Sequence, residues 1–379
     1  MTLATAASSL RSALELAARG LVDREVLVDA IALAAVAGEH VLVIGPPGTA
    51  KSEAVRRVAR ATGGRYFEYL LGRFTEPSEI FGPIDLTKLR EGVVEAQTAG
   101  MLPEAEIAFL DEVFLGSTAI LNTLLAILNE RMFRRGHTAK PCPLRVCVAA
   151  SNRLPEDESL AAFADRFLVR VFVEPTADPM LEDLLEGGWS LARTEQARAA
   201  ASIADLDGLA RAVRDADLGG VRNTLAQAVR LLRKNGIAIT DRRAVKVQKL
   251  IASAGVLAGR ASPDGRDLWP IVFAVPTREE QALAREVLRE LLAESENSAL
   301  AAATLDASAA PRARATRIVR AAESVFAAKP ADGVDAVAWK LRLEGIAREI
   351  DAGFAADAMP DEITQLRARV VGELGTARE

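Results

Sequence analysis

The stretch that most constrains this 379-residue chain is residues 41–52, in which an apolar run leads into a Gly-rich turn that ends in Lys51-Ser52. A loop that wraps a phosphate must point backbone N–H groups inward, and Gly45 and Gly48 allow this because glycine is conformationally permissive. Lys51 is then expected to meet the outer phosphates, and the Ser52 hydroxyl to ligate Mg2+. The sequence therefore predicts a nucleoside triphosphate site.

The residues around this turn extend the predicted site. A helix that begins near Lys51 would present unpaired N–H groups and the positive end of its dipole to the anion. The usual pattern has Gly immediately before the Lys, whereas this chain has Ala50, and we expect a methyl group there to be tolerated only at negative φ. The predicted nucleotide-binding residues are Gly45, Pro46, Pro47, Gly48, Thr49, Ala50, Lys51, Ser52 and Glu53.

A pair of acidic residues is expected to complete the site. Hydrolysis needs one carboxylate for the Mg2+ shell and another to activate water, both at the carboxyl end of a strand near the phosphate loop. Asp111 and Glu112 follow the apolar run 107–110 and fit this requirement. Asp111 is predicted to act on Mg2+ through its waters, and Glu112 to be the general base. The alternative is that both acids only cap a helix predicted at 117–130.

Composition restricts the class of protein. Hydrophobic residues make up 50% of the chain but aromatic residues only 4%, which favours a largely helical protein over a β-sandwich. The net charge of −5 argues against a surface built to coat nucleic acid or an anionic membrane. The two cysteines, Cys142 and Cys147, and two histidines argue against a structural zinc. With no signal peptide and no membrane span in the sequence, we expect a soluble, cytoplasmic protein.

Short apolar runs alternate with helical periodicity in the first half of the chain, which predicts an α/β fold with a parallel sheet between helices. The predicted strands are 41–44, 66–70, 107–110, 144–150 and 168–173. After about residue 179 the strand signal fades, and helices are predicted at 205–216, 221–234, 241–259, 278–293, 312–327, 334–353 and 360–375. Residues 295–311 have the composition of a linker.

Together these segments resemble the MoxR family of AAA+ ATPases, in particular its RavA-like branch. The resemblance covers about residues 10–293, and its ordered set of motifs is far more specific than any single motif. The family also commonly has Ala before the phosphate-loop Lys. The matching motifs are GPPGTAKS at 45–52, FLDEVF at 109–114, the stretch 119–133, AASN at 149–152, DRF at 165–167 and TDRR at 240–243.

The resemblance implies a three-part AAA+ architecture. A P-loop core would occupy residues 1–178, with a helix-2 insert at about 72–100. An all-α lid would follow over residues 179–293. A linker and a small helical C-terminal extension would occupy residues 294–379. The resemblance also implies ATP or ADP as ligand together with Mg2+, which the oxygens of Ser52 and Asp111 would hold.

The same resemblance assigns roles to polar residues outside the loop. Asn152 matches sensor 1, an amide that holds the attacking water, although Asn is also an ordinary turn residue. Arg166 matches the arginine finger, delivered across a subunit boundary, and Arg170 is the alternative. Arg242 or Arg243 matches sensor 2, and which of the two points inward is left open. Any of these arginines could instead be a surface cation.

The implied activity is that of a ring, of hexameric type, that hydrolyses ATP and remodels or matures client protein complexes in a chaperone-like way. Its implied partner carries a von Willebrand factor A domain. A basic segment at 131–140 resembles the hairpin before sensor 1. One alternative is an MCM-like nucleic-acid translocase, against which the acidic charge argues. Another is a nucleotide-gated scaffold with little turnover, against which the intact pair Asp111 and Glu112 argues.

Overall fold

The computed structural model describes residues 3–135, 138–193, 200–308, 310–327, 329–330, 334–353 and 359–375. Its strands are β1 (Val41–Ile44), β2 (Tyr66–Leu70), β3 (Ile107–Asp111), β4 (Met132–Arg135), β5 (Thr138–Pro141), β6 (Val146–Ser151) and β7 (Val169–Phe172). Five of them form a parallel sheet in the order β2-β3-β6-β1-β7, and β4 pairs with β5 as a separate antiparallel hairpin.

Helices occupy most of the remaining described chain. They are α1 (Leu3–Ala18), α2 (Glu25–Ala37), α3 (Lys51–Ala61), α4 (Pro77–Phe81), α5 (Leu86–Arg90), α6 (Thr118–Glu130), α7 (Glu158–Ala164), α8 (Leu181–Arg193), α9 (Ile203–Asp215), α10 (Gly219–Lys234), α11 (Asp241–Leu257), α12 (Arg278–Val287), α13 (Ala301–Ser308), α14 (Ala310–Ala327), α15 (Val334–Gly353) and α16 (Asp361–Gly375). Within the described ranges, none of them combines the length and the apolarity needed to cross a bilayer.

The sheet is buried on both faces because its central strands are almost entirely apolar. Every residue of β1 and β6 is buried. Along β1 the side chains alternate, so that Val41 and Val43 pack with α1, α2 and α3, whereas Leu42 and Ile44 pack in a second core with α6. This layering confirms the predicted α/β fold class, and the five predicted strands agree with the observed bounds to within two residues.

The helical segment over residues 179–293, which we call the lid, packs directly on the sheet's own helices. Leu209 of α9 and Leu250 of α11 belong to the same buried core as α1 and α2. A 3-10 stretch at Trp269–Ala274 is buried in this core, where the rings of Trp269 and Phe273 meet edge to face at 6.1 Å. The lid also covers the edge strand β7, since the buried Gln281 of α12 donates to a backbone carbonyl of that strand.

Two loop segments flank the core. Residues 72–100 fold into α4, α5 and connecting turns between β2 and β3. Gly82 has φ of 97°, and a Cβ there would lie 1.9 Å from the carbonyl oxygen of Gln97, so this close approach requires glycine. The predicted hairpin at 131–140 contains β4 and β5, and its tip, residues 136–137, lies outside the described residues.

The linker predicted over 295–311 is in part a packed helix. The side chains of Leu300, Ala303 and Ala307 are fully buried against α2 and its neighbours. The N–H of Ala303 donates to the carboxylate of Asp29 in α2 at 3.0 Å, which caps the start of α13. The Ala-rich composition misled the prediction, because alanine is also the strongest helix former and its small side chain allows two helices to lie close together.

The C-terminal helices α14, α15 and α16 form a unit with its own core. Ile346 and Ile363 are fully buried there, and Trp339 donates from Nε1 to the carbonyl of Val325 at 2.7 Å. Arg342 of α15 forms ion pairs with two acidic residues at the start of α8. The extension therefore contacts the chain where the lid begins.

The buried carboxyl group of Asp29 gives a pH dependence of stability. Burial raises the pKa of Asp29 from 3.8 to about 7, against the opposing effect of the α13 N–H groups. Since the folded state binds this proton more tightly than the unfolded state, the contribution of Asp29 to the free energy of unfolding should be fully present below about pH 4 and should be lost as the pH rises through 7. One pKa unit corresponds to about 1.4 kcal/mol, which limits the loss to about 4 kcal/mol.

We expect Asp29→Asn to remove this loss, because the amide oxygen still accepts the α13 hydrogen bonds without a charge. Urea unfolding of both proteins at pH 5 and pH 8 measures the effect. His40 acts in the opposite direction, since burial lowers its pKa well below 6.5, but it contributes equally to both proteins. Equal pH dependence in the two proteins would contradict the prediction.

Candidate nucleotide-binding site

The carboxyl ends of three neighbouring strands gather most of the predicted site. Because β6 lies between β1 and β3, the residue that follows β6 lies between the phosphate loop and the acidic pair. Asn152 donates from Nδ2 to Oε1 of Glu112 at 2.6 Å. The N–H of Glu112 donates to Oδ1 of Asp111 at 3.0 Å. Asn152, Asp111 and Glu112 thus form one hydrogen-bonded group beside the loop.

The side chain of Lys51 is buried against the backbone of the phosphate loop. Its Nζ donates to the carbonyl oxygens of Gly45 at 2.7 Å and Pro46 at 2.8 Å. Burial lowers the pKa of Lys51, and the nearby carboxylates of Asp111 and Glu112 raise it in part. A buried ammonium held mainly by carbonyl dipoles is suited to bind an anionic phosphate that reaches the loop.

The backbone of the loop overturns one expectation. Ala50 has φ of 56°, in the left-handed region, and not the negative φ that its methyl group led us to expect. This conformation costs an L-residue roughly 1–2 kcal/mol. The start of α3 holds it in place, because the N–H of Ala54 donates to the Ala50 carbonyl at 3.1 Å. Gly45 is required for a different reason, since a Cβ there would lie 2.2 Å from the carbonyl oxygen of Val173.

The oxygen atoms near the loop suit Mg2+. Ser52 lies half-buried in the first turn of α3, and the Asp111 carboxylate lies at the same edge of the sheet. No group of three or more His, Cys, Asp or Glu side chains forms a metal cage among the described residues. One hydroxyl and one carboxylate fit a Mg2+ ion that completes its shell with phosphate oxygens and water.

Glu53 contributes to the predicted loop only through its backbone. Its carboxylate pairs with Arg56 at 2.7 Å and with Arg57 at 2.9 Å. All three side chains are half-buried, and these pairs neutralise the charge of Glu53. The Glu53 side chain is therefore engaged along α3, and a role at the loop would fall to its backbone N–H at the helix start.

Glu112 also has a strained backbone. Its φ of 49° and ψ of 44° are left-handed, which for glutamate costs roughly 1–2 kcal/mol. Such strain is concentrated at functional sites in proteins, where the surrounding structure maintains it. Here the turn ends β3 and places the carboxylate within hydrogen-bonding distance of Asn152.

The predicted arginine finger lies at the opposite edge of the sheet. Arg166 lies three residues before the start of β7, which runs parallel to β1, so it lies at the amino end of the strands. The four residues of β1 separate the two edges by about 13 Å, because a parallel strand rises about 3.3 Å per residue. The half-buried Arg166 has an Nε without a hydrogen-bond partner in the described part of the chain.

Two other predicted arginines are occupied by contacts within the fold. Arg170 is buried and donates to the carbonyls of Ala164 at 2.7 Å and Phe167 at 3.2 Å, and burial lowers its pKa to about 9. Arg243 is 1% exposed and donates to Oδ1 of Asp165 at 2.6 Å and to three backbone carbonyls. Arg170 is therefore engaged within its own subunit, and Arg243 is a clamp between lid and sheet.

Arg242 remains accessible but lies far from the phosphate loop of its own subunit. It donates to Oδ1 of Asn129 at 3.0 Å, at the end of α6, and lies 4.0 Å from the Asp165 carboxylate. Both partners belong to the amino edge of the sheet. Within one subunit, neither predicted sensor 2 arginine reaches the site that contains Lys51.

Sequence reasoning missed Arg24, whose side chain contacts the backbone of the phosphate loop at Thr49. The buried guanidinium donates from Nε to the carbonyl of Thr49 at 2.7 Å and from a terminal nitrogen to the carbonyl of Glu174 at 2.7 Å. It also donates to the carbonyl of Asp23. Burial lowers the pKa of Arg24. A single Arg before an apolar helix gives no sequence signal for such a role.

The strand order and the loop define a AAA+ type P-loop ATPase fold. A solved structure from Cytophaga hutchinsonii, assigned as an ATPase, shares this fold with a TM-score of 0.62 at 15% identity. The superposition covers 78% of this chain and 97% of the other.

Residues 8–211 match the family model described as the MoxR domain in MoxR-vWA-beta-propeller ternary systems. This match covers more than half of the 379 residues, and the chain belongs to the MoxR family of AAA+ ATPases. Its predicted place in the RavA-like branch stays a prediction.

The chain is also similar to other proteins of known sequence. Two uncharacterized proteins of Methanocaldococcus jannaschii are each 36% identical over 65% of this chain. The matched segments span 65% and 64% of those relatives' own lengths, just under two thirds. The chaperone MoxR1 of Mycobacterium tuberculosis is 29% identical over 41% of both chains.

The left-handed Ala50 gives a test of loop strain. Replacement of Ala50 by Gly removes a cost of roughly 1–2 kcal/mol, while the added chain entropy of glycine costs about 0.5–1 kcal/mol. We therefore expect Ala50→Gly to raise the free energy of unfolding by up to about 1 kcal/mol. The matched control is Gly48→Ala, since Gly48 has φ of 78° with open space at its Cβ, and we expect a loss of about 1 kcal/mol. Denaturant unfolding measures both, and a destabilised Ala50→Gly would contradict the prediction.

Proposed function

We propose that this chain binds ATP with Mg2+ and hydrolyses it. The observation that carries this proposal is the 2.6 Å hydrogen bond between Asn152 and Glu112, beside a phosphate loop that contains the buried Lys51. Hydrolysis by an activated water needs a base and a polar orienting group opposite a cation that holds the phosphates. These three groups lie at the same edge of one sheet.

Each residue has a role that follows from its chemistry. Lys51 would exchange its two carbonyl contacts for the outer phosphates. The Ser52 hydroxyl and the Asp111 carboxylate would hold Mg2+, which neutralises charge on the β- and γ-phosphates. Glu112 would accept the proton of the attacking water. The Asn152 amide, within reach of Glu112, would orient that water and contact the γ-phosphate.

We infer that a second copy of the chain completes the site, in a ring of hexameric type. The support is geometric, because Arg166 lies at the amino edge of the sheet while the phosphate loop leaves the carboxyl edge. In a head-to-tail ring the amino edge of one subunit faces the carboxyl edge of the next. Arg166 would then stabilise charge on the phosphoryl group bound by its neighbour. The half-buried Arg242 lies on the same edge and could contact the same neighbour.

We further propose that the ATPase acts on other proteins. The description of the matching family places MoxR domains in systems with von Willebrand factor A and beta-propeller components, and one relative is a chaperone. By this similarity, the chain would remodel or mature a client protein complex beside a partner that carries a von Willebrand factor A domain. The acidic composition, with a net charge of −5, favours protein clients over nucleic acid.

The assigned base is tested by Glu112→Gln. We expect ATP hydrolysis to fall by at least about a hundredfold, because general base catalysis contributes that much or more. ATP binding should stay within a few-fold of the wild type, since Lys51 and Ser52 are untouched, whereas Lys51→Ala should lose binding. Glu158→Gln, an exposed acid on α7, is the control and should be fully active. Normal turnover by Glu112→Gln would show that the assigned base is wrong.

The shared site is tested by mixing two inactive variants. Arg166→Ala should lower hydrolysis roughly a thousandfold, the usual effect of removing an arginine finger. When Arg166→Ala and Glu112→Gln subunits are mixed equally, about one quarter of the interfaces pair an intact Glu112 with an intact Arg166. We expect that fraction of wild-type ATPase activity to return, as measured by phosphate release. Mixed rings without recovery would contradict a shared site.

A further inference from the structure

We propose that Arg24, Glu174 and Arg278 form a link within each subunit that couples occupation of the phosphate loop to the position of the lid helix α12. This inference rests on the proposed nucleotide binding. It assigns Arg24 as a positioning residue that does not itself touch the nucleotide. It also gives the lid a route to the nucleotide of its own subunit, which Arg242 and Arg243 do not supply.

The first part of the link is the buried guanidinium of Arg24. It is 4% exposed and joins three backbone segments, through the carbonyls of Asp23, Thr49 and Glu174. A charged hydrogen bond in a buried place is costly to break, because the guanidinium would be left unpaired. When phosphate binding shifts Thr49, the least costly response is therefore a shift of Glu174 with it.

The second part is the contact between Glu174 and the lid. The carboxylate of Glu174 forms an ion pair with Arg278, in the first turn of α12. One turn further along, the buried Gln281 donates to the carbonyls of Arg170 and Val275, both at 3.1 Å. The start of α12 is thus attached to β7 at Arg170, four residues before Glu174.

The opposite end of the lid is fixed. Arg243, at the start of α11, is clamped to Asp165 and to backbone carbonyls at the amino edge of the sheet. The lid is therefore attached through buried groups at the Arg243 clamp and at Gln281, and through an exposed ion pair beside the phosphate loop. The Arg278 end is the part of the lid that can respond to the loop.

The experiment uses amide hydrogen exchange of the full chain, with and without Mg2+ and the slowly hydrolysed analogue ATPγS. In the wild type we expect protection of residues 45–53 from exchange. We also expect exchange in α12 to slow by up to about fivefold, because one exposed ion pair contributes no more free energy than this. Arg278→Ala should keep the loop protection and bind ATPγS within about twofold of the wild type, but lose the α12 response. Arg289→Ala, which removes an exposed Arg just beyond α12, should behave as the wild type.

Two further variants separate the link from general stability. Glu174→Gln keeps the carbonyl that Arg24 contacts but removes the charge that Arg278 meets, so it should match Arg278→Ala. The double variant Glu174→Gln/Arg278→Ala should lose no more of the α12 response than either single variant does. Arg24→Lys keeps the charge but cannot reach three carbonyls at once, so it should also lose the α12 response while circular dichroism shows it folded.

The possible failures are distinguishable. Protection of 45–53 with an unchanged α12 in the wild type would overturn the link and leave nucleotide binding intact. An α12 response that survives in Arg278→Ala would also overturn it. No protection of 45–53 in the wild type would overturn both the link and the proposed ATP site.

Discussion

The pairing of β1 with β6 on one side and β7 on the other is the constraint on which the site depends. β1 is fully buried and hydrogen-bonded to both neighbours, with Val43 opposite Ala150 and Val171. The direction of β1 and its register with both neighbouring strands are therefore fixed. The phosphate loop must leave at the carboxyl edge, where Asn152 and the acidic pair also emerge, and the segment before β7 must lie at the amino edge. One subunit thus presents most of a phosphate site on one edge and a finger candidate on the other.

Much of this arrangement follows from local sequence. Strands that are buried on both faces read as apolar runs, and a loop that wraps a phosphate needs small residues followed by Lys and a hydroxyl. The fold class and the MoxR family membership could therefore be predicted from the sequence. So was the grouping of Asp111, Glu112 and Asn152, because parallel strands carry their following residues to one edge.

What sequence could not predict depends on partners distant in the chain. Arg243 is oriented by Asp165, 78 residues earlier, and nothing in the motif distinguishes it from the more accessible Arg242. The helix α13 depends on Asp29, 274 residues away, which caps it from inside another helix. The left-handed Ala50 reflects the demands of the loop, which override the preference of a single residue. Direction and capping of this kind are set by tertiary contacts.

The tripeptide Asp165-Arg166-Phe167 contains both a contact to the lid and the proposed arginine finger. Asp165 grips Arg243 of the lid, and Phe167 is buried in the sheet's core, so the backbone on both sides of Arg166 is held by different parts of the molecule. In the proposed ring, the residue that holds the fixed end of a subunit's lid is the direct sequence neighbour of the residue that enters the next site. Loss of the contact between Asp165 and Arg243 would release the backbone on one side of Arg166, and would therefore disturb the neighbouring site as well as the subunit's own lid.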